Sequence, residues 1–336
     1  MNPTIEKAAD ILRSGGLVAF PTETVYGLGA DATNDQAIAK IFQAKGRPPT
    51  NPLIVHVADI ATAKKFAAEW PLTAHRLALK FWPGPLTLVL PKSPLIVDTV
   101  TAGKNTVGLR SPNHPLALAL LKEFKGPLAA PSANRSTRVS PTTAQHVRDE
   151  LGDSVDLILD GGPCSVGIES TVLDLTTLPP TILRPGAITR EQIEAIVGPV
   201  HLFTGHTDPI TPASSPGQQP VHYAPIAIAI RFDDSHNHSI IRWCSNHADE
   251  PWSILLLRGL VRDWDLVKRP SPWTNKIIHM PENPTDYAKV LYATLRSLDD
   301  RGIQTIFIQM PPDTPEWLAI RDRLLRATRP FPPNPS

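Results

Sequence analysis

Four basic side chains stand where short apolar runs end: Lys45 and Arg47 in KGRPPTNP, Arg110 closing TVGLR, and Arg184 in ILRPG. A guanidinium presents a planar fork of donors that matches carboxylate and phosphate oxygens, and open sheets place their ligands at strand ends. A shared anionic ligand is the first hypothesis, although any one of the four read alone is an ordinary solvated charge. A second cluster is APSANRSTRVSPT at 130–142, where Ser132, Asn134, Ser136 and Ser140 precede a helix expected to start near Pro141. Hydroxyls and amides beside a helix N-terminus suit phosphate or carboxylate oxygens. Ser140 followed by Pro141 reads equally well as a plain N-cap and first helical residue.

Other patterns exclude chemistries. PTETVYGLGADA at 21–32 contains G-x-G-x-x-A. Its glycines come well after the preceding strand, no helix opens among them, and no acidic residue follows about 20 positions on, so it is no dinucleotide fingerprint. The glycines are expected to permit a tight loop. G-x-x-x-x-G-K-[ST], G-x-S-x-G and S-x-x-K are missing here, which argues against a Walker loop and against Ser132 as an acylating nucleophile. His236, His238 and His247 fall close together in what reads as a polar loop, without the further ligands a metal site needs. His56, inside LIVHV beside the KGR loop, is either a site residue or a satisfied core histidine. Cys164 and Cys244 are too few and too far apart for a disulfide framework or a thiolate zinc site and are expected to pack.

These groups need elements to hold them. A first helix runs from Pro3 with Ile5, Ala8, Ile11 and Leu12 on one face and stops at Gly15-Gly16. Further helices are expected at about 34–45, 58–69, 72–81, 114–124, 141–151 and 189–197. Strand candidates are 17–20, 53–57, 86–90, 106–110, 127–131, 155–160, 171–175 and 181–184. Helices and strands mix without strict alternation, which favours α+β or a twisted mixed sheet over a plain doubly wound fold. Residues 204–225, with five prolines, read as an extended linker. After it come apolar runs at 226–232, 239–243, 253–258, 276–280 and 305–310, a helix over about 285–300 and a last helix ending near 328, the order of a small α/β domain. The tail RPFPPNPS cannot continue that helix and is expected to be mobile.

The chain has 336 residues, enough for about two domains. At 41% apolar and 19% charged residues it is no charge-driven disordered chain. Lys plus Arg number 33 and Asp plus Glu 32, so no global field holds a polyanion and any nucleic-acid contact must be local. Thirty-seven prolines imply many fixed turns. No apolar run is long enough to span a bilayer and the opening residues lack a secretory pattern, which makes a cytoplasmic protein the expectation.

Taken in order, PTETVYGLGADA, AKGRPPTNPLIVHV, WPGPLTLVL, VGLRSPNHP, APSANRSTRVSPT, ESTVLDL and ILRPG resemble the YrdC-like threonylcarbamoyl-adenylate synthases over most of residues 5–197. SPGQQPVHYAP, YAKVLYATLRSLDDRGI and AIRDRLLRAT extend the resemblance to the long, two-domain form. It implies a YrdC-like catalytic domain over 1–203, a twisted mixed sheet with a basic concave surface. A linker or lid over 204–225, a smaller Rossmann-like domain over 226–330 and a mobile tail at 331–336 follow. The implied activity condenses L-threonine, bicarbonate and ATP into threonylcarbamoyl-adenylate and pyrophosphate, with magnesium and no organic cofactor. The intermediate would pass to a separate transferase complex that modifies the adenosine beside the anticodon of tRNA, and a weak direct contact with tRNA is compatible with the resemblance.

By position, the resemblance places Thr24, His56, Arg110, the Ala130 backbone and Ser170 around threonine, with Arg110 on its carboxylate. Arg47, Asn51, Thr106, Ser132, Asn134, Ser140, Arg184 and Tyr223 would contact ATP, and Lys45 and Arg47 would stabilise charge near the phosphates. Gln218 stands where the family commonly has Met, Pro220 stiffens the linker, Thr137 occupies a usual glycine position, and Pro315-Glu316-Trp317 replaces Gly-Leu-Gly. Two other readings remain. One is a non-catalytic RNA-binding or ribosome-associated protein on the same basic fold, against which the charge balance speaks. The other is a carbamoyl transferase of the hydrogenase-maturation kind, which resembles a longer chain with zinc motifs that two cysteines cannot supply.

Overall fold

The computed structural model describes residues 3–203, 222–257 and 276–332. The chain divides into two units, Met1–Ser136 with Ser140–Pro220, and Thr137–Val139 with Val221–Ser336. The expected linker lies outside the described residues as far as position 221, and with it Gln218, Pro220 and the lid.

In the first unit, α1 (Pro3–Arg13) buries Ile5, Ala8, Ala9 and Leu12, the stripe its apolar spacing dictates. The strands are β1 (Val18–Phe20), β2 (Gly27–Asp31), β3 (Ile54–His56), β4 (Leu86–Pro91), β5 (Thr106–Arg110), β6 (Leu128–Ala129), β7 (Leu157–Ile158), β8 (Thr171–Asp174), β9 (Thr181–Arg184) and β10 (His201–Leu202). They form one sheet in the order β10-β9-β8-β4-β5-β3-β6-β2-β1-β7. β3 runs parallel to β5 and β4 parallel to β8, whereas β4–β5 and β3–β6 are antiparallel. The mixed sheet expected from the irregular alternation is present. Its packing helices include α2 (Asp35–Lys45), α3 (Ile60–Phe66), α4 (Leu72–Phe81), α5 (Asp98–Thr101), α6 (Pro115–Phe124), α7 (Ala144–Leu151) and α8 (Arg190–Val197). No helix among the described residues is long and apolar enough to cross a membrane.

Two local readings change. Gly27 and Gly29 are not a tight loop but part of β2, paired with β1 on one side. Their lack of a side chain serves packing: a Cβ at Gly29 would stand 2.8 Å from the Phe20 ring. The second change concerns α7, which starts at Ala144 with Thr143 as N-cap, its side chain accepting from the His146 N–H. Ser140 is therefore not a cap. Its hydroxyl is fully buried and donates to Glu169 Oε1 at 2.6 Å.

The second unit is a parallel sheet of β11 (Ile228–Phe232), β12 (Trp252–Leu257), β13 (Lys276–Met280), β14 (Thr305–Gln309) and β15 (Arg329–Pro330), ordered β13-β12-β14-β11-β15. Helices α9 (Asn237–Asn246), α10 (Pro284–Asp300) and α11 (Leu318–Ala327) supply crossovers, as parallel pairing requires. The apolar run at 239–243 lies within α9, where Ile240 and Cys244, one turn apart, are buried. Pro315-Glu316-Trp317 forms a 3-10 turn leading into α11, with Trp317 edge-on to Tyr287 at 5.4 Å. The first residues of the tail expected to be mobile are held in place, and residues 333–336 lie outside the described residues. Arg329 and Pro330 pair with β11, and the Phe331 N–H donates to Arg231 O at 2.8 Å. Thr137 has φ 69, the left-handed conformation that favours the glycine usual there and strains a β-branched residue. Its carbonyl accepts from the Ala224 N–H at 2.9 Å.

Candidate functional site

Alternate residues of adjacent strands make the floor of a recess in the first unit. Ile54 of β3, Thr106 and Gly108 of β5, Thr87 and Val89 of β4 and Val172 of β8 line it. Gly108 keeps this face low, because a Cβ there would stand 3.1 Å from Thr87 Cγ2. Thr106, expected at the nucleotide, sits on this apolar floor.

The residues expected around threonine gather at the strand ends beside one another. Parallel register places His56 opposite Arg110, and antiparallel register places it opposite Leu128, two residues before Ala130. Arg110, 4% exposed, donates from Nη2 to Glu23 Oε1 at 2.7 Å and from Nε to Gly84 O at 3.3 Å. The second carboxylate oxygen of Glu23 accepts from the Asn113 N–H at 3.0 Å. Thr24 is fully buried, and its hydroxyl lies 2.8 Å from Thr22 Oγ1, which itself donates to Val25 O. His56 is buried edge-on to Phe20, and among the described residues its Nδ1 has no hydrogen-bond partner. Burial and the neighbouring Arg110 charge lower its pKa to about 3, so the ring is neutral at ordinary pH.

Ser170 ties this group to Arg184. The Arg184 guanidinium donates from Nε to Ser170 O and from Nη2 to Ser170 Oγ, both at 3.1 Å, and Ser170 Oγ lies 2.8 Å from Thr87 Oγ1. Gly186 makes this approach possible, since a Cβ there would fall 2.3 Å from the Thr171 backbone nitrogen.

The remaining nucleotide candidates lie around α2 and the serine-rich loop. Lys45 is buried at the end of α2 and donates from Nζ to Ser132 O at 2.5 Å and to Asn134 O. Its pKa falls well below the ordinary lysine value through burial and then the Arg47 charge. Lys45 thus folds the 132–136 loop over itself, helped by the Ser136 N–H donating to Lys45 O at 2.8 Å. Arg47 donates to Asn51 O at 3.4 Å and Pro52 O at 3.0 Å, holding the KGRPPTNP turn. Inside that turn Asn51 is 1% exposed, and among the described residues neither Nδ2 nor Oδ1 finds a hydrogen-bond partner. A buried amide in that condition costs about 1–3 kcal/mol unless a ligand satisfies it. Tyr223 is the one expected site residue carried by the second unit, buried against Tyr292 with Arg323 over its ring at 5.3 Å.

Sequence reasoning missed Glu23, Thr87 and Glu169. Glu23 meets Arg110 across 87 positions, a separation with no local signature. The buried charges of the first unit are then Lys45, Arg47, Arg110 and Arg184 against Glu23, Glu169 and Asp174. Among the described residues no group of three or more His, Cys, Asp or Glu could hold a metal ion.

Residues 10–186 match the Sua5/YciO/YrdC family model, described as telomere recombination. Residues 188–328 match the model described as threonylcarbamoyl-AMP synthase, C-terminal domain. The threonylcarbamoyl-AMP synthase of Bacillus subtilis is 43% identical over 330 residues, spanning 97% of this chain and 93% of its own. The one of Pyrococcus abyssi is 38% identical over 328 residues, spanning 96% and 94%. The crystal structure of P. abyssi Sua5 complexed with L-threonine matches with a TM-score of 0.86 at 37% identity, covering 97% of this chain and 95% of that one.

Proposed function

The chain belongs to the threonylcarbamoyl-AMP synthase family in its two-domain form, and from that footing we propose that it condenses L-threonine, bicarbonate and ATP into L-threonylcarbamoyladenylate and pyrophosphate. The threonine amine takes up the bicarbonate carbon as a carbamate, with loss of water and a proton. A carbamate oxygen then bonds to the α-phosphorus of ATP as the bond to pyrophosphate breaks. Neither change needs a protein nucleophile, so the protein orients reactants and offsets charge.

The observation that carries the reading is the unpartnered amide of Asn51, buried in the turn that Arg47 holds. It supports a ligand offering both donors and acceptors, as a nucleotide does. Arg110 receives the threonine carboxylate, while neutral His56 and Thr24 border the amino acid. Arg184, Ser132, Ser140 and Asn134 take the nucleotide, and Lys45 keeps their loop in place beside the phosphates. Magnesium would enter bound to the triphosphate and would neutralise phosphate charge there. The product is an activated carbamate, and we assign its use to a separate transferase that modifies tRNA beside the anticodon.

Pyrophosphate release from ATP and magnesium tests this reading. Release requires both L-threonine and bicarbonate, and serine and glycine support it poorly. Release that ignores either substrate contradicts the proposal.

A further inference from the structure

Arg110 is already matched by a carboxylate of the protein itself. The Arg110–Glu23 ion pair spans 2.7 Å with each side chain 5% exposed, and both Glu23 oxygens are engaged, one by Arg110 and one by the Asn113 N–H. Among the described residues Arg110 donates from Nε to Gly84 O and from Nη2 to Glu23, two of its five N–H donors. The titratable groups coupled to this pair are His56, His114 and Cys164. Burial lowers the pKa of His56 to about 3, lowers that of His114, and raises that of the Cys164 thiol to about 12. All three are uncharged near neutral pH, so the charges in direct contact here are Arg110 and Glu23, with the Arg184 guanidinium held apart from them on Ser170.

Resting on the reading that Arg110 receives the substrate carboxylate, we propose that Glu23 is a specificity-determining residue that makes the amino-acid pocket neutral beforehand, so that it accepts a zwitterionic α-amino acid and rejects carboxylates lacking the amino group. An arginine alone is satisfied by any carboxylate. With Glu23 already beside it, a second carboxylate adds an uncompensated negative charge in a buried place, and buried unpaired charge is strongly disfavoured. A zwitterion adds none as it enters, because its ammonium offsets the charge its carboxylate brings, and the later negative charge of the carbamate appears at the nitrogen end rather than at the carboxylate that meets Arg110. Selectivity thus arises from the repulsive element as much as from the attractive one.

Calorimetric titration of the full chain, without ATP, compares L-threonine with 3-hydroxybutanoate, which keeps the hydroxyl and carboxylate and lacks the amine. The unaltered chain favours threonine by at least about 100-fold. Glu23→Gln lowers that ratio by at least about tenfold, chiefly by admitting 3-hydroxybutanoate, whereas Glu23→Asp keeps the charge and holds the ratio within about threefold even if both ligands weaken. An unchanged ratio in a folded Glu23→Gln chain overturns the inference and leaves Glu23 as a prop for Arg110. Should that variant fail to fold, a preference under about tenfold in the unaltered chain overturns it alone. Failure of the unaltered chain to bind threonine at all overturns the pocket reading, and this inference with it.

Discussion

Replacing Arg110 with Met weakens threonine binding by at least about 30-fold while ATP affinity stays within about threefold, because a charge-assisted fork to a carboxylate is worth about 2–5 kcal/mol when desolvated. The same change lowers stability by a separate route. Glu23 would remain 5% exposed without its counter-ion, and breaking one side of a buried pair costs about 3–5 kcal/mol. The two effects come apart in the double variant. Adding Glu23→Gln to Arg110→Met removes the stranded charge and recovers most of the lost melting temperature, but threonine binding stays lost. Recovery of binding along with stability would show that Arg110 acts only as a structural partner of Glu23.

Asn51→Leu moves stability and affinity in opposite directions. Both amide atoms of Asn51 are buried and unpartnered, so an apolar side chain of similar shape relieves about 1–3 kcal/mol of desolvation cost and raises the melting temperature by roughly 2–8 °C. The ligand that would have satisfied the amide loses those hydrogen bonds, and ATP binding weakens by about 10- to 100-fold. Threonine binding is unchanged. A variant that melts lower, or that binds ATP as before, would mean that the amide is satisfied within the folded chain and marks no nucleotide site.

What could be read from the residues alone follows the range over which the physics acts. The stripe Ile5, Ala8, Leu12 and the run LTLVL at β4 announce themselves, since periodicity is local and both elements bury what they show. The mixing of helices with short strands pointed to a twisted mixed sheet, and the arginines at strand ends pointed to an anion. Gly27 and Gly29 misled, because glycine in a strand is justified only by the Phe20 ring that lies against it, and the chain order does not reveal that ring. Ser140 before Pro141 carried the chemistry of an N-cap, yet a buried carboxylate 29 positions on claims its hydroxyl. Glu23 was silent for the same reason. Its meaning depends on Arg110, and only the sheet brings the two together. Thr137 was legible only as a departure that could redirect its loop, and the threonine instead takes up the left-handed conformation at φ 69.

The most direct test of the central claim follows one carbon atom. The full chain is supplied with ATP, magnesium, L-threonine and ¹³C-bicarbonate, and the mixture is analysed by mass spectrometry within seconds. The account predicts one product that contains threonine, the labelled carbon and AMP together, formed in step with pyrophosphate. Pyrophosphate released with AMP or threonyl-AMP but with no labelled carbon joined to both would contradict it, since the carbamate would then not be the group that attacks ATP.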